Sequence, residues 1–350
     1  MTNRRTLAVR SSAAMMALAA GISLSYADSH IGAIGISGLE LAIIDPSIAA
    51  FYAESADEID RLVVIARTGG SADERISALS EIASNYPVVA EVLSRELIGD
   101  SETEIALFAV QALQGAVVMM DHGPMEDLAS FPALAAAMQS HAQSIGALRP
   151  AIMDERDEIR IKAASTLASL GDEKALTLIN AAAASGTIRA VEAANYFTLA
   201  GTSAANAYLA NYLRDGDAGA QETAVGYLAA VPEYQSRIRD GYFLNPDADP
   251  SVRLAASKSL GLYDPEFPDY ALTVLSGDDL EPAFAGTTIQ GYVASIEQRG
   301  LLTPEIAENV GGELANYDFS TVVNPDDQAD FQALSDRLNA LAGEMWSGAK

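Results

Sequence analysis

Hydrophobic and small residues recur at helical spacing in two stretches of this chain, residues 157–167 and 249–260. Each stretch begins with an aspartate and continues with an aliphatic residue followed by an arginine. Small residues then stand three and four positions after the arginine, and a leucine stands seven positions after it. Counted from Arg160 and Arg253, positions −1, +3, +4 and +7 share one face of a helix with about 3.6 residues per turn. Both stretches are therefore predicted to be amphipathic helices.

The same layout recurs along the chain, and the position equivalent to Arg160 is called the anchor of each copy. The anchors are Arg75, Ala106, Arg160, Arg189, Gln221, Arg253 and Ala285. Their spacings are 31, 54, 29, 32, 32 and 32 residues, so one interval contains an irregular segment. A second helical pattern follows several anchors, as at 173–184, 203–213 and 267–275. Because a pair of helices cannot bury both of its faces alone, the pattern predicts an all-α fold of stacked helix pairs, an α-solenoid.

This layout resembles HEAT repeats, particularly the short type found in phycobilisome-lyase-like proteins. The residues that carry the resemblance are Asp157, Ile159, Arg160, Ala163, Ala164 and Leu167, and in the later copy Asp249, Pro250, Val252, Arg253, Ala256 and Leu260. The resemblance implies a HEAT- or armadillo-like superhelix that serves as a protein-interaction scaffold, with the second helix of each pair on its concave face. It also implies aspartate–arginine bonds between adjacent repeats, which gives a structural role to Asp157, Arg160, Arg189, Asp249 and Arg253.

The first 27 residues have the features of an export signal. Arg4, Arg5 and Arg10 precede the short apolar stretch 13–24, and small residues lead up to Ala27. Cleavage near Ala27 would place the chain in the periplasm or outside the cell, by the general secretory or the twin-arginine route. No later apolar run is long enough to predict a membrane span.

The predicted organisation has four parts. A signal peptide at 1–27 and an N-terminal cap segment at 28–55 precede the repeat array at 56–302, which contains an irregular insertion at 114–150. The last part, 303–350, is predicted to cap the array, because terminal repeats need a polar outer face. Helices are expected at 125–147 in the insertion and at 303–314 and 329–342 near the C-terminus, with an acidic loop at 318–327.

The charge of the chain is strongly negative, with 48 Asp and Glu against 21 Lys and Arg and a net charge of −27. This excess argues against a nucleic-acid surface, which requires basic residues to displace counterions. It is typical either of a well-solvated surface or of a protein whose partner is basic. The chain has no cysteine, so thiol nucleophiles and thiolate metal sites are excluded. No phosphate-binding loop or nucleophile elbow is present, and we expect a non-catalytic protein.

Copper is the one cofactor that the sequence suggests. If cleavage follows Ala27, the mature chain begins with Asp28-Ser29-His30, a pattern that resembles the amino-terminal copper and nickel motif of albumins. A second group of soft ligands lies in the insertion: Met119, Met120, His122, Met125, Met138 and His141. The alternative reading is that these methionines fill an ordinary hydrophobic core.

Tyrosines form a further candidate site on the second helices of the later repeats. These residues are Tyr208, Tyr212, Tyr234, Tyr242 and Tyr270. If they are exposed, they could anchor a partner protein, since tyrosine is enriched at binding hot spots. If they are buried, they pack beside Leu209 and Leu213.

Three functions are consistent with these patterns. The first is an exported, non-catalytic scaffold that binds a partner protein on the concave face of a HEAT-like solenoid. The alternatives are a periplasmic copper-handling protein and a lyase or hydrolase that uses carboxylates in the groove. The fold alone does not choose among them, and the oligomeric state is left open.

Overall fold

The computed structural model describes residues 32–36, 39–43, 46–121, 132–276, 280–322 and 324–347. The fold is all-α apart from one short hairpin, and 17 helices are present in the described residues. None of these helices combines the length and the apolar character that crossing a bilayer requires.

A two-stranded hairpin opens the described chain. Strand β1 (Gly32–Ile36) runs antiparallel to β2 (Leu39–Ile43), with Gly32 opposite Ile43. Helix α1 (Pro46–Glu54) follows, and the hairpin packs against α1 and against two later helices, Ala56–Thr68 and Pro87–Leu97. The sequence analysis did not predict these strands. Their sequences are Gly-Ala-Ile-Gly-Ile and Leu-Glu-Leu-Ala-Ile, in which the isoleucines favour strands but glycine, alanine and glutamate do not, so the local composition gives a weak signal.

The chain divides into two compact units, and unit 1 extends to Ser185. After α1, its helices are α2 (Ala56–Thr68), α3 (Ala72–Asn85), α4 (Pro87–Leu97), α5 (Thr103–Asp121), α6 (Pro132–Ala151), α7 (Asp157–Ser169) and α8 (Glu173–Ala184). Helices α3, α5 and α7 form a row in which each packs on the next. Helix α4 contacts both α3 and α5, and it also packs on α6.

Unit 2 begins at Gly186. Its helices are α9 (Ala190–Ala200), α10 (Ser203–Asp215), α11 (Ala218–Leu228), α12 (Pro232–Ile238), α13 (Pro250–Tyr263), α14 (Phe267–Leu275), α15 (Pro282–Gln298), α16 (Pro304–Leu314) and α17 (Pro325–Ser347). Helices α9, α11, α13 and α15 form a row, each packed on the next. Helices α10, α12 and α14 pack on members of that row, and within the described residues no comparable packing joins them to one another.

The row in unit 2 is tight where α13 meets α15, because small residues face each other there. A Cβ atom added to Gly261 would lie 2.8 Å from the Cα atom of Gly291, so only glycine allows this approach. Nearby, the buried hydroxyls of Ser257 and Thr288 are 2.8 Å apart and share a hydrogen bond.

The predicted helices are confirmed at six of the seven anchors, each of which is the fourth residue of its helix. From Ala106 onward, the positions −1, +3, +4 and +7 around these anchors are all buried. In α3, Glu74 at position −1 is exposed, and the other three positions are buried. The exception among the anchors is Arg189, which is the N-cap residue of α9; Ala193 occupies the fourth position. The prediction chose a residue one turn too early on the same helix face.

The predicted second helices also match the structure closely. Helices α8 and α14 have the predicted bounds, and α10 ends two residues later than expected. In the insertion, helix α6 begins at Pro132, and residues 122–131 lie outside the description. Near the C-terminus, α17 begins at Pro325 inside the predicted acidic loop, because proline suits the first helical position and Asp326 and Asp327 favour the first turn. A short 3-10 helix, Phe319–Thr321, occupies the start of that loop.

Anchor side chains with a donor group cap the chain segment that precedes them. The Nε atom of Arg75 donates to the carbonyl of Ala66 at 2.8 Å. Three other anchors make the same kind of bond: Gln221 to Leu213 at 3.3 Å, Arg253 to Phe243 at 3.2 Å and Arg160 to Asp154 at 3.1 Å. These carbonyls lie at or just beyond helix ends, where no intrahelical donor is available. Arginine and glutamine at the anchor therefore satisfy backbone groups.

The aspartate–arginine bond between neighbouring helix pairs is present, but at other residues than those expected. Arg75 forms a nearly buried ion pair with Asp100, which lies just before α5, and the Asp100 carbonyl accepts from Arg156 at 2.8 Å. Arg160 and Arg189 instead pair with carboxylates three residues away, Asp157 and Glu192.

Asp249 and Arg253 have local roles at the start of α13. The Asp249 carboxylate accepts from the backbone nitrogen of Ser251 at 2.9 Å and so caps the helix. The Arg253 guanidinium lies 4.1 Å above the ring of Phe284 on α15, a cation–π contact that joins two helices of the row.

Candidate functional site

An open cleft of about 420 Å³ lies in unit 2, where α10 ends beside α12. Its lining comes from the end of α10, from α11, from α12 and its continuation, and from the connection to α13. The lining residues are Arg214, Gln221, Arg237, Gly241, Tyr242, Asn245, Ala248 and Asp249. The volume is within the range of about 300–1,000 Å³ that small ligands and recognised side chains occupy.

One wall of the cleft is a π-helical turn, Arg239–Phe243, which continues α12. The backbone nitrogen of Leu244 donates to the carbonyl of Arg239 at 2.8 Å, which closes the wide turn. Single π-helical turns are rare and are frequently found at functional sites. Here the turn directs Gly241 and Tyr242 to the cleft.

The wall is held in place by the carbonyl of Leu213, near the end of α10. This carbonyl accepts hydrogen bonds from the Tyr242 hydroxyl and from the Gln221 side chain. Burial raises the pKa of Tyr242, so its hydroxyl stays protonated at neutral pH and remains a donor. The end of α10, the start of α11 and the π-helical turn are thereby fixed around the opening.

In the described part of the chain, some charged side chains at the cleft have hydrogen-bond or ion-pair partners, and one does not. Arg214 pairs with Asp215 at 2.6 Å, and its Nη2 atom also reaches Asn211. The Asp249 carboxylate is engaged at the helix cap, and the hydrogen bonds from Ser251 lower its pKa. Arg237 is exposed, and among the described residues it has neither an ion pair nor a hydrogen-bond partner. One guanidinium is therefore available to a ligand.

Of the five tyrosines expected to bind a partner, Tyr242 lines the cleft, and Tyr208, Tyr212 and Tyr270 pack on phenylalanine rings. Tyr208 and Tyr212 stack on Phe197, with ring centroids 5.1 and 5.9 Å away. The Tyr212 hydroxyl is buried without a hydrogen-bond partner, and burial raises its pKa.

The two remaining tyrosines also have raised pKa values. The Tyr270 hydroxyl donates to Asp264 at 2.7 Å, and its ring meets Phe243 edge-on; burial and the Asp264 carboxylate both raise its pKa. Burial and the neighbouring Glu233 raise the pKa of Tyr234, which is half-buried on α12.

The residues predicted to bind copper fall mostly outside the description. Asp28, His30, His122 and Met125 are not among the described residues, and the side chains of Met119, Met120 and Met138 are not described. His141 lies on α6, where its Nδ1 atom is buried without a hydrogen-bond partner. Within the described part of the chain, no three histidine or carboxylate side chains come together as metal ligands.

A polar network in unit 1 joins α4 to α6. Arg95 donates to Glu91 at 2.8 Å, to Ser144 at 3.0 Å and to Gln143 at 2.5 Å, and it also bonds to Ser140. The Glu91 carboxylate accepts from both serines, at 3.0 and 2.6 Å. Every charged group in this network has a partner within it, so it ties two helices together.

Sequence reasoning missed the two arginines of the cleft. One signal was available for Arg237, which stands two residues from Arg239 in a strongly acidic chain. The π-helical turn and its bond to Leu213 have no local signature, because the hydrogen bond joins residues 29 apart in sequence.

A scan of the chain against models of known protein families finds no match, and a search of functionally characterised proteins also finds none.

Proposed function

We propose that this chain is an exported HEAT-like α-solenoid that binds a partner protein without catalysing a reaction, and that the cleft of unit 2 is a principal contact. The observation that carries the proposal is the cleft itself, whose walls are fixed by hydrogen bonds. At its opening, the guanidinium of Arg237 has neither an ion pair nor a hydrogen bond within the described part of the chain. Rigid walls favour binding because little conformational entropy is lost when a ligand arrives.

The two sets of helices in unit 2 support this assignment. The faces of α9, α11, α13 and α15 are used by packing along their row. The helices α10, α12 and α14 are not packed on one another in the described residues, which leaves surface between them. Such surfaces are where helical repeat proteins bind extended partners.

Catalysis has less support from the cleft. Its lining holds a single carboxylate, Asp249, which already caps α13. A lyase or hydrolase of the kind considered above would need two carboxylates, or a carboxylate and another base, near the same reacting atom.

Photo-crosslinking in the native host tests the proposed function. A benzophenone amino acid replaces Gly241, where an added Cβ atom would meet no atom within 4 Å. The matched control carries the same group at Met153, which is 79% exposed in unit 1. We expect a discrete covalent adduct from position 241 and none of that size from position 153. The absence of an adduct from position 241 in correctly folded protein would overturn the proposal.

Export is the second element of the proposal, and it is supported by the arginines and the apolar stretch of the first 27 residues. The intact mass of protein recovered from the periplasm or medium tests it. We expect a chain that starts at Asp28. A full-length chain retained in the cytoplasm would contradict export.

Copper handling is a second candidate function, supported by the buried and unpartnered Nδ1 atom of His141. Copper titration of the mature protein tests it, with His30→Ala, His122→Ala and His141→Ala as variants. The proposal requires tight binding that at least one of these substitutions removes. Failure of the unaltered mature protein to bind copper tightly would exclude it.

A further inference from the structure

The lining of the cleft in unit 2 contains more basic than acidic residues, unlike the chain as a whole. Acidic residues outnumber basic ones by 48 to 21, yet two of the eight lining residues are arginines and one is an aspartate. Arg214 comes from the end of α10 and Arg237 from α12, so two separate helices bring guanidinium groups to one opening.

The uncharged side chains of the cleft walls already donate hydrogen bonds to backbone carbonyls, so they are less available to a ligand than a side chain without such bonds. Tyr242 and Gln221 both donate to Leu213, and Asn245 donates to the carbonyl of Gly241 at 3.2 Å. The other side of the Asn245 amide accepts from the backbone nitrogen of Asp247. Arg214 is paired and Asp249 caps a helix, so Arg237 is the arginine of the lining that has neither an ion pair nor a hydrogen bond among the described residues. Its charge also reaches Asp215, whose pKa is lowered by Arg214 and by Arg237.

The charges of the cleft favour a singly charged planar anion as its ligand. A guanidinium binds carboxylate or phosphate through two parallel hydrogen bonds. A phosphate ester carries nearly two negative charges at neutral pH and would be repelled by the carboxylates of Asp215 and Asp249. A carboxylate carries one charge, which matches the one guanidinium of the lining, that of Arg237, that lacks an ion pair among the residues that the structure describes.

We propose that this cleft binds a carboxylate side chain of an acidic peptide segment, with Arg237 as the main contact and Arg214 as a second donor. This inference deepens the proposed function, on which it rests, by giving the chemistry of the partner. It also differs from the expectation that an acidic chain has a basic partner, because local charge in a cleft, and not the net charge of the chain, decides what binds there.

A fluorescein-labelled hexapeptide of alternating glutamate and alanine is the probe, and fluorescence anisotropy at physiological salt is the measurement. We expect saturable binding to the mature protein, weakened tenfold or more by Arg237→Gln. Arg299→Gln is the matched control, since it removes the same charge from an exposed position of unit 2 outside the cleft. Its expected effect is less than twofold. Circular dichroism melting curves show whether both variants remain folded.

Two further peptides define the chemistry of the ligand. Replacing glutamate by glutamine in the probe is expected to abolish binding, and replacing it by phosphoserine is expected to weaken binding. Tighter binding of the phosphoserine peptide would overturn the carboxylate assignment in favour of a phosphopeptide. Equal loss with Arg237→Gln and Arg299→Gln would show that only non-specific charge is involved, and no saturable binding by the mature protein would also overturn the inference.

The crosslinking experiment separates this inference from the proposed function. If only the carboxylate assignment is wrong, the adduct at position 241 forms equally well with and without Arg237→Gln. If the proposed function is wrong, no adduct forms at position 241, whatever the peptide measurements show.

Discussion

Units 1 and 2 both place arginine on helices that lie beside the main row of packed helices, with opposite results. In unit 1, Arg95 on α4 bonds to Glu91 and to residues of α6, and the two helices pack together. In unit 2, Arg214 and Arg237 stand on α10 and α12, which are not packed on one another in the described residues, and Arg237 has no partner there. A charged side chain that is satisfied inside the fold stabilises it, whereas one left unsatisfied at a rigid cleft is available for recognition.

The anchors Arg75 in unit 1 and Arg253 in unit 2 can be compared in the same way, and the substitution of Arg75 is expected to have the largest effect on the free energy of unfolding. Arg75→Ala removes a nearly buried ion pair with Asp100 and leaves the Ala66 carbonyl without its donor. We expect a loss of about 3 kcal/mol in the free energy of unfolding, because an unpaired carboxylate remains in a poorly solvated place.

The matched variant Arg253→Ala loses a carbonyl cap and a cation–π contact but no ion pair, so we expect about 1–2 kcal/mol. Urea denaturation, with hydrogen exchange to assign each transition to a unit, measures both values. A smaller loss for Arg75→Ala than for Arg253→Ala would contradict this account of the anchors.

Substitution in the polar network of unit 1 is expected to have the second-largest effect on the free energy of unfolding. Arg95→Ala leaves the Glu91 carboxylate without its cation and removes a donor to Ser144, which is fully buried. We expect the free energy of unfolding to fall by about 2 kcal/mol. Hydrogen exchange should accelerate in α4 and α6.

The control for the network is Arg61→Ala, which removes an exposed ion pair with Glu58 on α2. Its expected cost is below about 0.5 kcal/mol. Equal costs for the two substitutions would mean that the network does not hold the helices together.

The stability of unit 1 should depend on pH in the acid range, because Asp154 has a strongly shifted pKa. Hydrogen bonds from the Arg156 side chain lower this pKa to about 2, against a partial opposing effect of burial. The folded-state pKa is below the unfolded value of about 3.9, so the carboxylate stabilises the fold fully above that pH. This contribution is lost as the pH falls from about 4 towards 2. The unfolding free energy of Asp154→Asn should therefore change less over this interval, as measured by urea denaturation at each pH.

The smallest expected effect belongs to the cleft. Arg237→Ala removes an exposed side chain that has no partner in the described residues, so the free energy of unfolding should change by less than about 0.5 kcal/mol. Thermal and urea denaturation measure this directly. A loss as large as that of Arg95→Ala would show that Arg237 has a structural role and would remove it as a binding residue.

The spacing of apolar positions predicted much of this fold. The buried stripes around Arg160 and Arg253, and the bounds of α8 and α14, follow from a period of 3.6 residues and from local stop and cap residues. Helical periodicity does not distinguish Arg189 from Ala193, because these residues are one turn apart on the same face. It missed the hairpin because short glycine-containing stretches give little periodic signal.

The candidate site was less predictable than the fold. Tyr242 was expected to meet a partner, and it lines the cleft. Arg214 and Arg237 were missed because their importance depends on which charges remain unpaired after folding. That property is decided by contacts such as the bond from Tyr242 to Leu213, and these contacts join residues that are distant in sequence.

The most direct test of the account compares the guanidinium groups of Arg95 and Arg237 in one experiment. Nitrogen-edited NMR of the mature protein resolves the Nε–H signals of arginine, and Arg95→Lys and Arg237→Lys assign these two. The account predicts that adding the glutamate–alanine hexapeptide shifts the Arg237 signal saturably and leaves the Arg95 signal unmoved and protected from exchange. An Arg237 signal that does not respond, or an Arg95 signal that moves with it, would contradict the account.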